Sequence, residues 1–248
     1  MNHYFTTRPA RPLVVAHRGA TDGGFAENTL AAFEAAIRLG ADLIECDLRT
    51  TADGEHVIIH DDVLGGKRIG RCTRREVQTA GRALGYDIPT LGEVLELVSG
   101  RICLDLELKE AGYESDVVQR VRARLPVDRF VITSFQAGCF QEVKRAAPDV
   151  QCGLLLPAPR AGARAGWTGL PLDFARFRES GIDFLLPHWK LIRSGVLPKA
   201  AAAGLPAWTW TVNRPHALRA CLRRADLQAV ITDKVELALQ VSAPGNGP

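Results

Sequence analysis

The first quarter of the chain carries His17-Arg18-Gly19, Glu27-Asn28-Thr29, Glu45-Cys46-Asp47 and His60-Asp61. Read as a strand, Leu43–Leu48 alternates its side chains, so Glu45 and Asp47 share one face and Cys46 points to the other. A same-facing pair of carboxylates suits metal ligation or acid–base work. A second run, Leu104-Asp105-Leu106-Glu107-Leu108-Lys109, puts Asp105, Glu107 and Lys109 on one face and three leucines on the other. Carboxylates converging from neighbouring strands repel one another unless a cation sits between them. Hard oxygen donors suit Mg2+ or Ca2+. Glu45, Asp47 and Glu107 are therefore the expected ligands of one divalent cation. Arg18 and Lys109 add positive charge beside it, which points to an anionic substrate with phosphate as the first candidate. His17 and His60 change charge near neutral pH and are the expected proton donor and acceptor, with acid and base unassigned.

These groups need a scaffold that delivers them to one rim. Short apolar runs alternate with longer amphipathic stretches. The strand candidates are Leu13–Ala16, Leu43–Leu48, Ile102–Leu108, Phe130–Thr133, Gln151–Leu156, Asp183–Leu186, Ala207–Val212 and Ala229–Thr232. Helical spacing is read at Asn28–Leu39, Leu91–Val98, Asp116–Leu125, Gly138–Ala147, Leu172–Ser180, Ile192–Ala203, Pro215–Arg224 and Lys234–Val241. Asn28 or Thr29 suits an N-cap of the first helix, and Gly40 its stop. Eight strand–helix units in 248 residues fit an α/β fold, a single (β/α)8 TIM barrel with its core at about 13–241. Thr50–Pro89 departs from the alternation and reads as an insertion after the second strand, a hairpin at Asp53-Gly54 followed by a Gly/Arg-rich loop. A second irregular stretch spans Pro157–Pro171. No G-x-G-x-x-G follows the first strand, which argues against a dinucleotide-binding sheet. Barrel active sites lie at the C-terminal ends of the strands, where His17, Glu45, Asp47, Glu107 and Lys109 all fall. His188, just past the sixth strand, is a further substrate-binding candidate.

Composition removes other classes. Hydrophobic residues make up 46%, enough for a full core. The net charge of +3 is scattered and aromatics are 6%, so a nucleic-acid-binding surface is not expected. No apolar run reaches the roughly 20 residues of a membrane span, and the N-terminal stretch lacks a signal-peptide core. Six cysteines are spread without a C-x-x-C pair and read as reduced core residues. The expected location is the cytoplasm and the expected partner a small molecule; nothing in the pattern sets the oligomeric state. His3, His56 and His216 read as surface or structural, and Glu27 and Asn28 as braces of the His17 loop. Asp61 either orients His60 or caps a turn. Asp105 reads as a partner of Lys109 or of a ligand, and one of Trp208 and Trp210 as core filler.

The ordered set resembles the glycerophosphodiester phosphodiesterase family, in its cytoplasmic bacterial type. It comprises His17-Arg18-Gly19, Glu27-Asn28-Thr29-Leu30-Ala31-Ala32-Phe33, Ile44-Glu45-Cys46-Asp47, Thr51-Ala52-Asp53-Gly54 and His60-Asp61. Ile88-Pro89-Thr90-Leu91, Leu106-Glu107-Leu108-Lys109, Trp210-Thr211-Val212-Asn213 and Ile231-Thr232-Asp233 complete it, so the resemblance covers Leu13 to Leu239. It implies a metal-dependent barrel hydrolase that cleaves glycerophosphodiesters to sn-glycerol 3-phosphate and an alcohol. By position, Glu45, Asp47 and Glu107 are then metal ligands and His17 and His60 the acid–base pair. Arg18 and Lys109 contact phosphate, and Trp210 lines the pocket. Ala26 stands where the family usually has proline. Asp62–Thr73 is only loosely similar and His60–Pro89 is short, which leaves the alcohol head group open. Two alternatives stand beside this reading. One is a lysophospholipase D-like phosphodiesterase acting on lyso-lipids, with Ala158–Leu170 as the place for an acyl chain. The other is a non-catalytic phosphate-binding barrel, which would require a lost ligand, and none is lost.

Overall fold

The structure, a computed structural model, describes residues 11–159 and 174–242. In chain order the elements are β1 (Leu13–His17), α1 (Leu30–Leu39), β2 (Leu43–Thr50), β3 (His56–Ile58), β4 (Val63–Leu64), β5 (Lys67–Arg68), α2 (Arg74–Ala83), α3 (Leu91–Val98), β6 (Cys103–Leu108) and α4 (Glu114–Arg122). They continue with β7 (Phe130–Ser134), α5 (Cys139–Ala146), β8 (Gln151–Leu156), α6 (Phe174–Glu179), β9 (Phe184–Pro187), α7 (Val196–Ala202), β10 (Trp208–Thr209), α8 (Pro215–Leu222), β11 (Ala229–Thr232) and α9 (Val235–Ser242). All eight expected barrel strands are present and run parallel in the order β10-β11-β1-β2-β6-β7-β8-β9. The ring closes between β9 and β10 through the bridges Leu185–Ala207 and His188–Trp210. Two side chains reinforce that seam: Thr209 Oγ1 donates to Pro187 O at 2.9 Å, and Trp210 Nε1 to Leu186 O at 2.7 Å.

Alternation sorts each strand into two layers. Val15, Leu43, Val131, Leu155, Trp208 and Ile231 point inward and fill the barrel. Ile44, Cys46, Leu104, Leu106 and Leu108 point outward into the layer beneath the helices. The interior tapers around Gly153: a Cβ there would lie 2.5 Å from the Phe184 ring and 2.6 Å from Leu186. Phe184 in turn packs at a tilt against Trp208, with ring centroids 4.7 Å apart. Trp208 is thus the core filler and Trp210 the rim residue.

Thr29 caps α1, its side chain accepting from Ala32 N, and Gly40 stops it with φ 85°. Asn28, offered as an alternative cap, lies outside the helix with φ 56°. The expected helix 192–203 breaks at Gly195 (φ 80°) into a 3-10 turn over Trp189–Ser194 and α7, because the left-handed glycine interrupts the ladder. The expected start at Leu172 lies outside the described residues, as does most of the Pro157–Pro171 stretch.

The insertion contains more structure than the sequence suggested. β3 folds back antiparallel on β2 around the Asp53-Gly54 turn, as expected. The Gly/Arg-rich segment, read as a loop, holds the short hairpin β4–β5 and the ten-residue helix α2. Thr73 and Glu76 form a reciprocal capping box at its start, and Val77 packs on Ile69 and Ile88 in a small satellite core.

The tight interior gives a stability prediction. Gly153→Ala overpacks the Phe184 contact and lowers stability by about 1–3 kcal/mol. That corresponds to a fall in Tm of roughly 2–12 °C. Gly138→Ala, where nothing lies within 4 Å of the new methyl, changes it by less than about 0.5 kcal/mol. Thermal unfolding of both variants is the check.

Candidate active site at the C-terminal rim

The first turn after β1 is built by two left-handed residues, Arg18 (φ 55°) and Gly19 (φ 90°). Only glycine fits at 19, since a Cβ would sit 2.7 Å from Ala32. The strained turn places Arg18 over the rim. Its backbone N donates to Glu45 Oε2 at 2.9 Å. Its guanidinium meets Glu27 at 2.8 Å and Asp47 Oδ2 at 3.1 Å. Asn28 closes the arrangement: its Nδ2 donates to Asp47 Oδ2 at 2.7 Å and its Oδ1 accepts from Asp47 N at 3.2 Å. Glu27 and Asn28 are braces, as the sequence implied.

Register then stacks the carboxylates. His17 pairs with Glu45, Glu45 with Asp105, and Asp47 with Glu107. Oxygens of Glu45, Asp47 and Glu107 lie within 4.8 Å of one another, and all three residues are buried. Lys109 Nζ lies 2.8 Å from Asp47 Oδ1 and 2.6 Å from Glu107 Oε1. Asp105 sits deeper. Its Oδ1 accepts from Thr133 Oγ1 at 2.7 Å, so its partner is Thr133 rather than Lys109. Glu45 Oε1 and Asp105 Oδ2 are buried without a hydrogen-bond partner.

Four buried carboxylates against Arg18 and Lys109 leave negative charge uncompensated. Burial, reinforced by Asp47, Glu107 and Asp105, raises Glu45 well above the ordinary carboxylate range. Burial also pushes Glu107 up to about 7, with Asp47 adding to it and Lys109 opposing. Asp105 is raised to about 8, chiefly by burial. Asp47 alone goes down: burial would raise it, but Lys109, Arg18 and the Asn28 hydrogen bond outweigh that effect. The three-carboxylate set fits a divalent cation on its own evidence, in its all-oxygen donors, its excess charge and its orphaned Glu45 oxygen.

Both histidines line the same cavity as Glu45 and Glu107 of this set. His17 Nδ1 contacts Asp233 Oδ1 at 2.6 Å, and its Nε2 lies 4.0 Å from Glu45 Oε2. His60 Nδ1 contacts Asp61 Oδ1 at 2.7 Å, so Asp61 orients His60. Burial lowers His60 below its ordinary value, with Arg18 and Lys109 adding to the effect and Asp47 and Asp61 opposing it. Both rings border a cavity of about 190 Å³ with Glu45, Glu107, Lys109 and Trp210. Burial and the nearby Glu27 and Asp61 raise the Tyr86 hydroxyl, which borders a separate cavity with Phe25 and Arg82.

Trp210 forms one wall, and Phe135, 42% exposed, meets it edge-on at 5.2 Å. His188 does not border the cavity. It packs edge-on against Trp210 at 5.3 Å and accepts from Lys190 N, half-buried and lowered to about 4 by burial and Lys190. His56 is buried between Thr50 and Asp116, and His216 is exposed. His3 lies outside the described residues. The sequence pattern gave no site role to Phe135 or Thr133, and contained Asn213 and Asp233 only as parts of the family resemblance, without a role. Their signal was position: each falls at or just past the end of a barrel strand.

Against known proteins, the model of the glycerophosphoryl diester phosphodiesterase family matches residues 17–237. The chain is 54% identical over 242 residues to the probable glycerophosphodiester phosphodiesterase 1 of Mycobacterium tuberculosis, covering 85% of each chain. It is 28% identical over 253 residues to a glycerophosphodiester phosphodiesterase of Caldanaerobacter subterraneus subsp. tengcongensis, covering 95% of this chain and 99% of that one. Among solved structures, a glycerophosphodiester phosphodiesterase from Parabacteroides distasonis superposes with a TM-score of 0.78 at 26% identity, over 93% of this chain and 96% of that one. A phosphodiesterase from Oleispira antarctica, in complex with the product sn-glycerol-3-phosphate, superposes with a TM-score of 0.76 at 26% identity, over 93% and 96% of the two chains. The chain belongs to the glycerophosphoryl diester phosphodiesterase family.

Proposed function

We propose that the protein hydrolyses water-soluble glycerophosphodiesters to sn-glycerol 3-phosphate and an alcohol. The observation that carries this is the convergence of Glu45, Asp47 and Glu107 beside Arg18 and Lys109, with His17 and His60 lining one small cavity. Cleaving a phosphodiester requires neutral surroundings for the non-bridging oxygens, a deprotonated nucleophile and a protonated leaving oxygen. Glu45, Asp47 and Glu107 would hold one Mg2+ or Ca2+, which would supply Lewis acidity and positive charge. Arg18 and Lys109 contribute fixed positive charge at the same place. Each histidine has one ring nitrogen engaged by a carboxylate, Asp233 or Asp61, and its other nitrogen left for proton transfer. Trp210 gives the substrate an apolar wall, and His188 supports that wall from behind. The small cavity, of about 190 Å³ and bordered by His17, Arg18, Glu107 and Lys109, favours a deacylated substrate over a lyso-lipid. The segment 160–170, most of the stretch suggested for an acyl chain, lies outside the described residues. Cys46, Cys72, Cys103, Cys139, Cys152 and Cys221 are all free and buried, which suits a reducing compartment such as the cytoplasm. No helix among the described residues is long and apolar enough to cross a membrane.

The reading is tested by release of glycerol 3-phosphate from glycerophosphocholine, glycerophosphoethanolamine and glycerophosphoglycerol in Mg2+ or Ca2+, with lysophosphatidylcholine as the competing substrate. Turnover of the three diesters supports it. Turnover of the lyso-lipid alone, or of none, rejects it. His17→Ala and His60→Ala each lower kcat by about 10²–10⁴ while cation affinity by calorimetry stays near the parent value.

Charge crowding sets a second expectation, for the chelated protein. Glu45, Glu107 and Asp105 all bind protons more tightly in the folded chain than in the unfolded one. Their stabilising contribution is therefore complete below about pH 4 and is lost as pH rises through the folded values near 7 and 8. Tm of chelated protein falls from pH 6 to pH 9, and Mg2+ or Ca2+ restores it. Glu45→Gln weakens both the fall and the response to metal, together with activity. A Tm indifferent to pH and to divalent ions would falsify the cation site.

A further inference from the structure

The two histidines are held very differently. Asp61, the partner of His60, is 76% exposed at its side chain. Asp233, the partner of His17, is 32% exposed and is itself gripped. Asn213, just past β10, donates through Nδ2 to Asp233 Oδ2 and accepts through Oδ1 from Asp233 N at 3.0 Å. Asn213 is fixed in turn by its neighbours. Val212 N donates to Ile231 O at 2.9 Å, and Thr232 Oγ1 donates to Val212 O at 2.7 Å. The ends of β10 and β11 thus carry a two-residue clamp whose free carboxylate oxygen, Oδ1, meets His17 Nδ1. Burial would raise Asp233, but the His17 and Asn213 hydrogen bonds and the Arg18 charge keep it below the ordinary carboxylate range, so it accepts.

We propose that Asp233, held by Asn213, is a positioning residue that fixes the tautomer and ring orientation of His17. Nδ1–H donates to Asp233, which leaves Nε2 bare and aimed toward Glu45 and the cavity. Without the carboxylate the imidazole is free to put its proton on Nε2 or to rotate, and either change removes the nitrogen that transfers the proton. Asp233 does not border the cavity, and its hydrogen-bonded contact with a group that does is to His17. This assignment rests on His17 being a proton-transfer group, as under Proposed function.

The test combines kinetics with ¹⁵N NMR of histidine-labelled full-length protein, in which the His17 signals are identified by their loss in His17→Ala. In the parent protein near pH 8, His17 Nδ1 carries the proton and Nε2 does not. Asp233→Asn, which keeps shape but removes the obligate acceptor, moves His17 toward the Nε2–H tautomer or a mixture. It lowers kcat by about 10²–10⁴ and leaves KM within about threefold. Asn213→Ala gives the same changes in smaller measure, about tenfold in kcat, and serves as the sole probe if Asp233→Asn does not fold. A folded Asp233→Asn, or Asn213→Ala in its place, with parental kcat and parental His17 signals overturns the assignment while an inactive His17→Ala leaves the hydrolase reading in place. A His17→Ala that keeps parental turnover removes both.

Discussion

Asp47 is the point on which the rim depends. It is fully buried, yet it stays ionised because three elements reach it: Arg18 from the turn after β1, Asn28 from the approach to α1, and Lys109 from the end of β6. A buried carboxylate with one partner removed costs several kcal/mol, so these contacts act together or not at all. They also explain local features that look unrelated. The left-handed Arg18, the left-handed Asn28 and the crowded Gly19 all serve to bring donors to the same two oxygens. Once Asp47 is neutralised in this way, the remaining negative charge belongs to Glu45 and Glu107, which is the part a divalent cation is suited to offset.

The barrel explains why so few residues accomplish this. Parallel register puts Glu45 beside Asp105 and Asp47 beside Glu107, and alternation turns all four inward. The same alternation turns Cys46, Leu106 and Leu108 out to the helices, where they hold the strands. Packing and chemistry therefore use alternate residues of the same two strands.

Most of that was legible in the chain. Period-two patterning in Leu43–Leu48 and Leu104–Lys109 was enough to place the carboxylates, and eight apolar runs were enough for the barrel. What escaped has physical reasons. Helix α2 begins in Gly- and Arg-rich sequence whose only strong marker is Thr73-Arg74-Arg75-Glu76, a capping box whose meaning depends on the small core of Ile69, Val77 and Ile88. Asp105 faces Thr133 because of the β6–β7 register, which a single strand pattern does not contain. Asp233 and Asn213 lie more than 190 residues from His17 in the chain and meet it only through ring closure. His188, read as a substrate-binding candidate, packs on Trp210 outside the cavity lining; neighbouring side chains on the rim differ in whether they face inward, and spacing alone does not say which.

The seam between β9 and β10 has a consequence for how such a barrel diversifies. Trp210 is at once a wall of the cavity and one of the clasps of the ring, through its indole donor to Leu186 O and its bridge to His188. A substitution there trades selectivity against integrity of the hoop. Phe135, also on the cavity lining, carries no such double duty: it is 42% exposed and meets the tryptophan edge-on. Change in the cavity wall is therefore freer at Phe135, while the tryptophan is constrained by architecture as much as by chemistry.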